Sequence, residues 1–489
     1  MSAVPPSRLA SCNAAPVNAQ GAFVLYWMIA ARRSQHNFAL DRAIELGREL
    51  DKPLVVLEAL RVGYRWASDR LHRFVLDGMA DNEARFQDNP VLYYPYVEPS
   101  PGAGQGLLEA LSRQAAAVIT DDFPCFFLPR MVEAAAARCP VRMEKIDGNG
   151  LLPIRSGDKV FTTARSLRYF LQKNLRAHLP FAPRARPFEG VTLRTLSKLP
   201  QEITARWPRA SSSLLAGDAA ALARLPIDHR VPIAPRRGGA VAAEQALSLF
   251  VTKKLTVYPE ERNHPDCDAA SGLSPYLHFG HISVHAVFEA LAHKARWTPK
   301  KLSTTVNGLR EGWWGAPPEV EAFLDELVTW RELGYNMCAF RHDYDRYSSL
   351  PDWAQTTLEK HGKDARPTLY SRAQLEAAQT HDPIWNAAQR QLVAEGRMHN
   401  YLRMLWGKKV LEWSKTPEEA IEILIELNNK YALDGRNPNS YSGIFWVFGR
   451  YDRAWGPERE IFGKVRYMSS DNTRKKLHLG AYLERWGGA

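Results

Sequence analysis

An apolar run, a helical stripe and a second apolar run follow one another between Phe23 and Leu60, and that order constrains the fold more than any other feature of the chain. Residues 23–27 (FVLYW) and 53–60 (PLVVLEAL) are short and apolar at nearly every position, the pattern of strands buried on both faces. Residues 40–50 between them carry apolar side chains at helical spacing, and residues 117–120 form a further run that ends at Asp121 and Asp122. Strand, helix and strand in this order imply a parallel α/β sheet.

Beyond Ala240 the character changes to long amphipathic segments that hold most of the tryptophans, with few strand-like runs, which predicts an all-helical second domain. A chain of 489 residues has room for two or three domains. Residues 1–20, without periodicity, read as a disordered tail, and 21–181 as the α/β domain. Residues 182–239, rich in Pro and Arg, read as an interdomain connector, and 240–489 as the helical domain.

Lys plus Arg number 64 against 53 Asp plus Glu, a formal excess of +11 that favours an anionic partner, nucleic acid first. Five scattered cysteines, with no CxxC pair, argue against a zinc site and a disulfide framework and fit a reducing cytosol. The apolar stretch 22–30 is far short of the ~20 residues of a spanning helix and reads as a buried strand rather than a leader. Gly102-Ala-Gly-Gln-Gly106 has Leu107 where a dinucleotide fingerprint needs glycine, so it reads as a loop. No GxxxxGK[ST], HExxH or GxSxG occurs, which removes the usual sequence support for phosphate-loop, zincin and hydrolase-elbow chemistry.

Thr416, Pro417 and Glu419 form a helix start with the elements of a capping box. On that helix Ile421, Leu424 and Ile425 make an apolar stripe, and the next position is Asn428, either a C-terminal cap or an amide aimed at a buried polar ligand. Residues 386–413 read as one helix. Leu402, Trp406, Val410 and Trp413 lie on one face, a core stripe by default, and His399, Arg403 and Gly407 lie on another. An arginine beside a small residue suits close approach of a planar or anionic ligand, with Asp434 as a counter-charge. Glu326 and Trp330 sit at i and i+4, so a carboxyl and an indole project together. Ser271-Gly-Leu-Ser-Pro275 offers hydroxyls at a helix start, either an ordinary Ser-Pro turn or a cradle for phosphates. Toward the end Arg450, Arg453, Lys464, Arg466, Arg474, Lys475 and Lys476 interleave with Tyr451, Trp455, Phe462 and Tyr467, as a solvated face or a nucleic-acid surface would.

Taken together, Leu273-Ser-Pro-Tyr-Leu-His-Phe-Gly280, Trp330-Arg-Glu332 and Met398-His-Asn-Tyr-Leu-Arg-Met404 resemble the photolyase/cryptochrome flavoproteins. Tyr26-Trp-Met28, Trp406-Gly-Lys-Lys409, Glu412-Trp413 and Leu433-Asp-Gly-Arg-Asn-Pro-Asn439 resemble the class II cyclobutane pyrimidine dimer photolyases in particular. So do the three residues between Glu326 and Trp330, where the family's other branches usually have two.

The resemblance implies a Rossmann-like parallel-sheet antenna domain followed by an all-α domain that binds FAD, active when reduced. By residue-wise matching it implies that Tyr258, Ser271, Leu273 and Ser274 cradle the FAD phosphates, and that Arg403 and Asp434 pair beside the isoalloxazine. Asn428 would face flavin N5, and Glu326, preferably as a protonated donor, would hydrogen-bond the lesion. Trp330 and Trp446 would flank the flipped dimer, with Tyr401 and Met404 in the same pocket, and Arg450, Arg453, Lys464 and Arg466 would face DNA. Trp385, Trp406 and Trp413 would relay electrons to the flavin, with Tyr370 beyond them as a terminal donor. The implied activity is that of a carbon–carbon lyase splitting cyclobutane pyrimidine dimers in double-stranded DNA. The chain would act as a monomer in the cytoplasm, or the nucleus of a eukaryote. The antenna chromophore implied is a deazaflavin or methenyltetrahydrofolate. The rival implication is a cryptochrome-like blue-light photoreceptor without repair activity.

Overall fold

In the computed structural model, which describes residues 4–488, the chain forms two compact units. The first comprises residues up to 158, 174–251 and 272–300, and the second comprises 159–173, 252–271 and 301 onward. The first is built on a six-stranded sheet: β1 (Leu9–Ser11), β2 (Phe23–Met28), β3 (Leu54–Leu60), β4 (Val91–Val97), β5 (Ala115–Asp121) and β6 (Met143–Ile146). Its order is β1-β6-β5-β2-β3-β4, with β1 antiparallel to β6 and every other pair parallel. All six residues of β2 are buried, as expected of a central strand covered on both faces.

Alternate side chains divide between two cores. Val24, Tyr26 and Met28 pack with Phe38, Leu40 and Ile44 of α1 (Phe38–Glu49). Phe23, Leu25 and Trp27 pack with residues from α3 (Leu107–Gln114) and α4 (Leu128–Ala136). The remaining helix among the first four, α2 (Asp69–Phe86), completes the crossover from β3 to β4.

The N-terminal tail is a correction to the sequence reading. Residues 1–3 lie outside the described residues, but from Pro6 onward the segment makes a 3-10 turn and then β1. Its order comes from Arg8, whose buried guanidinium donates to the carbonyls of Asp147 at 3.0 Å, Gly150 at 3.1 Å and Leu151 at 2.8 Å. Composition could not show those distant acceptors. The stretch 182–239 is likewise more than a connector. Leu199, Ile203 and Trp207 join one sheet core, while Leu214, Leu215, Leu222 and Leu225 pack with Val75, Leu76 and Met79 of α2.

Residues 240–251 and 272–300 also fold with the sheet rather than with the later helices. Asp77 and Asp81 on α2 accept the N–H groups of Gly238 at 3.0 Å and Val241 at 2.9 Å. Gly280, at φ +73°, lies so close to β2's following loop that a Cβ there would stand 1.7 Å from the Ala30 carbonyl oxygen.

The second unit is helical. After α5 (Ala164–Asn174), helices α6 (Gln201–Arg206), α7 (Ser212–Leu215), α8 (Ala219–Ala223) and α9 (Ala240–Leu249) belong to the first unit, as do α11 (Ser274–His278) and α12 (Val284–Lys294). The second holds α10 (Tyr258–Glu261), α13 (Pro318–Leu324), α14 (Arg331–Phe340), α15 (Asp352–Lys360), α16 (Arg372–Glu376), α17 (Pro383–Glu395), α18 (Asn400–Trp413), α19 (Pro417–Tyr431), α20 (Pro438–Trp446), α21 (Ser470–Lys476) and α22 (Gly480–Trp486). The helix expected over 386–413 is therefore two. Gly396 at φ +68° adopts the left-handed conformation that ends α17, and its carbonyl accepts from Leu433 N at 2.8 Å. At the start of α19, Thr416 caps Glu419 N as expected, but the Glu419 carboxylate accepts from Lys415 N at 2.7 Å, one residue earlier than a capping box requires.

Candidate functional site

Arg403 on α18 and Asn428 on α19 lie on neighbouring helices, and the loop after α19 brings up Asp434. Arg403 donates through Nη2 to Asp434 Oδ1 at 3.3 Å and through Nη1 to Asn428 Oδ1, also at 3.3 Å. The Asn428 amide in turn donates to Ser440 Oγ at the start of α20. Asn428 is 2 % exposed and lies inside α19, whose C-cap is Ala432, so the capping alternative is removed. A cation, a carboxylate and an oriented amide thus stand together, a donor set suited to a polar conjugated ring that gains negative charge. Tyr401 and Met404, on the same helix as Arg403, are both partly buried.

Gly407 does something other than admit a ligand. A Cβ there would lie 2.4 Å from Val447 Cγ2, so the glycine admits the valine that follows α20.

Glu326 begins a different cluster. It stands in a π-helical turn, Asp325–Trp330, and accepts from Arg262 Nη1 at 2.6 Å. Burial alone would lower the affinity of Arg262 for its proton, but the Glu326 carboxylate outweighs that and holds the guanidinium charged. Within this pair the guanidinium is the donor. Arg262 also donates to the Tyr258 hydroxyl at 3.2 Å. Burial, then the Glu326 charge, push that phenol up to about 12. A π turn takes up one residue more than an α-turn, which accommodates the three residues between Glu326 and Trp330.

Trp330 and Trp446 lie face to face, with ring centroids 4.6 Å apart and planes 18° from parallel. They touch each other, so no gap for a base lies between them, and what they present is the rim of a stacked pair.

The three relay candidates are buried and in sequence through space. Trp385 on α17 stacks on Trp406 at 6.4 Å and meets Trp413 edge-on at 5.6 Å, standing between the two indoles of α18. Its Nε1 donates to the Trp406 carbonyl at 3.0 Å, and Trp406 Nε1 donates to Gln389 Oε1 at 3.0 Å. Tyr370 meets Trp413 edge-on at 5.3 Å.

Tyr258 and Ser271 belong to the second unit, whereas Leu273, buried, and Ser274, exposed, lie in the first at the start of α11. Arg453 and Arg466 are exposed and each lies over the Trp455 ring, at 4.7 and 5.1 Å from its centroid. Lys464 is exposed beside Glu458 at 3.6 Å.

Arg450 is a correction. It is 2 % exposed, donates to the Tyr344 carbonyl at 2.7 Å and to Ser349 Oγ, and lies 4.0 Å over the Phe445 ring. It closes the interior instead of facing DNA.

Arg262 and Ser440 were missed by sequence reasoning. Arg262 had a signal, since it stands four residues after Tyr258 and so shares its helical face. Ser440 had none beyond its place in an Asn-Pro-Asn-Ser helix start. Among the described residues, no helix is long and apolar enough to cross a membrane.

Comparison of the fold with solved structures places it among the photolyases and cryptochromes. A class III photolyase from Agrobacterium tumefaciens superposes with a TM-score of 0.66 at 17% identity, covering 95% of this chain and 86% of that one. A cryptochrome from Synechocystis gives 0.65 at 15%, covering 95% and 88%. These show the photolyase/cryptochrome fold. No family model matches the chain. Full-length relatives go further: the deoxyribodipyrimidine photo-lyase of Methanothermobacter thermautotrophicus is 34% identical, covering 98% of both chains. Those of Potorous tridactylus and Arabidopsis thaliana are each 32% identical over 94% of this chain, and cover 80% and 88% of their own lengths. The chain belongs to the deoxyribodipyrimidine photo-lyase family.

Proposed function

We propose that the chain repairs cyclobutane pyrimidine dimers in DNA by light-driven electron transfer, as a class II photolyase. The observation that carries this reading is the full-length relationship to relatives named deoxyribodipyrimidine photo-lyase. The class II assignment is supported by the π turn that takes up the third residue between Glu326 and Trp330.

The Arg403, Asp434 and Asn428 set fits the isoalloxazine of FAD, and Tyr258 and Ser271 in the same unit would hold its phosphates. Bound and reduced, FAD would supply on blue-light excitation the electron that opens the cyclobutane ring and would take it back afterwards. The chain's own residues bind and orient. Arg403 balances negative charge on the ring system while Asp434 fixes the guanidinium's direction. Asn428, held between Arg403 and Ser440, presents its amide in one orientation.

A dimer stacks and pairs poorly, so extruding it costs less than extruding normal bases, and the stacked Trp330 and Trp446 offer it an aromatic rim. Glu326 orients Arg262, whose remaining N–H groups can donate to a carbonyl that gains charge. Arg453, Lys464 and Arg466 engage phosphates, and the +11 excess favours that approach. Trp385, Trp406 and Trp413 relay electrons when the cofactor starts oxidised.

An antenna chromophore, deazaflavin or folate, would take the crevice at the carboxyl ends of β2, β3 and β5, where the sheet order reverses. There Trp66 and Phe126, both at positive φ, stack at 5.9 Å. Planar residues at positive φ beside those strand ends support a site shaped for a ring.

Binding to dimer-containing and intact oligonucleotides tests the reading. Trp330→Ala and Trp446→Ala should each lose ~1 to 3 kcal/mol for damaged DNA only, the usual loss for a stacking aromatic. Equal binding of damaged and intact DNA by the wild type would defeat it.

A further inference from the structure

Tyr370 does more than cap the tryptophans. Its phenol oxygen stands 2.7 Å from His381 Nδ1 and accepts the backbone N–H of His381 at 2.9 Å. Both rings also contact Trp413, each at 5.3 Å. The arrangement is held from both sides. Tyr370 N donates to the Trp413 carbonyl at 3.2 Å, which ties the phenol's backbone to the end of α18. His381 precedes Asp382, the N-cap of α17, whose carboxylate accepts from Ile384 N at 3.0 Å and Trp385 N at 3.1 Å. The histidine is thereby fixed at the start of the helix that carries Trp385. Because His381 is exposed and Trp413 is buried, the pair joins the inner indoles to solvent.

A phenol that loses an electron becomes a strong acid, so its oxidation is easy only where a base takes the proton in the same step. Here the base is already hydrogen-bonded. With Nδ1 accepting from the phenol, the neutral imidazole carries its own proton on Nε2. We infer that His381 is the proton acceptor for oxidation of Tyr370, so that the Tyr370–His381 pair is a proton-coupled terminal donor of the tryptophan relay. The inference rests on the relay reading above.

An oxidised Trp413 takes one electron from Tyr370. The phenol O–H bond breaks, its proton forms an N–H bond at His381 Nδ1, and Trp413 returns to its neutral closed-shell form. The products are a neutral tyrosyl radical and an imidazolium, and the electron replaces the one Trp413 gave up through the relay, for which a bound oxidised flavin would be the acceptor. The phenoxyl oxygen keeps two donors, the His381 backbone N–H and the new Nδ1–H. A thiol reductant in solution then refills the tyrosyl radical.

Flash illumination of the purified, FAD-loaded oxidised protein, read by electron paramagnetic resonance and transient absorption, tests this. The wild type should end on a neutral tyrosyl radical, and D2O should slow its formation. Tyr370→Phe should end on a tryptophan radical. His381→Phe keeps a ring against Trp413 but has no acceptor, so tyrosyl formation should fall by on the order of a hundredfold, the low end of what a positioned proton acceptor contributes. His381→Ala should recover tyrosyl formation when imidazole is added to the buffer, which a packing role would not produce. Thermal denaturation of each variant identifies any that fails to fold, and the imidazole rescue stands on a single variant compared with itself.

Unchanged tyrosyl formation in His381→Phe, or its absence from the wild type, would overturn the inference while leaving the relay in place. An unchanged radical signal in Trp385→Phe would instead remove the relay, and this inference with it.

Discussion

The first unit sets the buried carboxylate of Asp121 at the end of an interior strand, while the second sets Arg403, Lys408 and Asn428 inside its helices. In the sheet unit, Asp121 closes β5 and its carboxylate accepts the N–H groups of Ile29, Ala30 and Ala31 at 2.7 to 2.9 Å, along with the Tyr26 hydroxyl at 2.8 Å. That carboxylate serves mainly the backbone. In the helical unit, Arg403 and Asn428 sit mid-helix and bond to other side chains, and Lys408 is fully buried with its ammonium on the Val447 carbonyl. Polar groups that serve side chains in a core are costly to fold around, and they concentrate where a ligand can use them.

The sharpest way to break this comparison is Asp121→Ala. It strands four donors, three of them buried, so we expect a loss of about 3 to 5 kcal/mol in denaturant unfolding, the scale at which several unsatisfied groups add. A loss under 1 kcal/mol would mean the sheet unit does not depend on its strand-end carboxylate.

Next in size, Gly407→Ala should cost about 1 to 3 kcal/mol by overpacking against Val447, and Val447→Ala in the same chain should recover most of it. Failure of that rescue would return Gly407 to a role at a ligand.

Smaller effects separate the units by pH. Burial lowers the Lys408 ammonium to about 7 from 10.5, so the unfolded chain binds more protons between those values. Stability of the helical unit should therefore rise with pH across that window and be lost as pH falls through about 7, with a slope of at most ~1.4 kcal/mol per pH unit. Lys408→Met should flatten it.

Asp41, in the sheet unit, has the opposite sign. Burial raises it to about 6 from 3.8, against the opposing pull of Arg184 at 2.9 Å. Its contribution is present below pH 4 and lost as pH rises through about 6. Amide hydrogen exchange, read separately on the β2–β5 amides and on α18 and α19, distinguishes the two slopes. Parallel pH dependence in both units would contradict the assignment.

Strands β2, β3 and β5 were legible because burial on both faces leaves mostly apolar residues to read. β4 escaped notice because Pro95 interrupts it, and only its position at the sheet edge lets a proline stand there. β1 is three residues long and depends on pairing with β6, more than a hundred residues away, so no local signal exists. The break at Gly396 was hidden by helical spacing that continues across it.

At the site, Arg403, Asn428 and Asp434 stood out as polar residues on otherwise apolar faces or beside them, and the structure brings these three together. Arg450 misled for the opposite reason: a charge reads as surface until its carbonyl and ring partners are known. The stacking of Trp330 on Trp446 joins residues more than a hundred positions apart, and no spacing rule reaches that far.

The central claim is tested most directly by illuminating the purified protein, carrying chemically reduced FAD, with blue light in the presence of an oligonucleotide containing one cyclobutane thymine dimer, and counting intact dimers by chromatography against a dark control. The account predicts that dimers disappear in the light and persist in the dark. A folded, FAD-loaded protein that leaves the dimer count unchanged under illumination would contradict it.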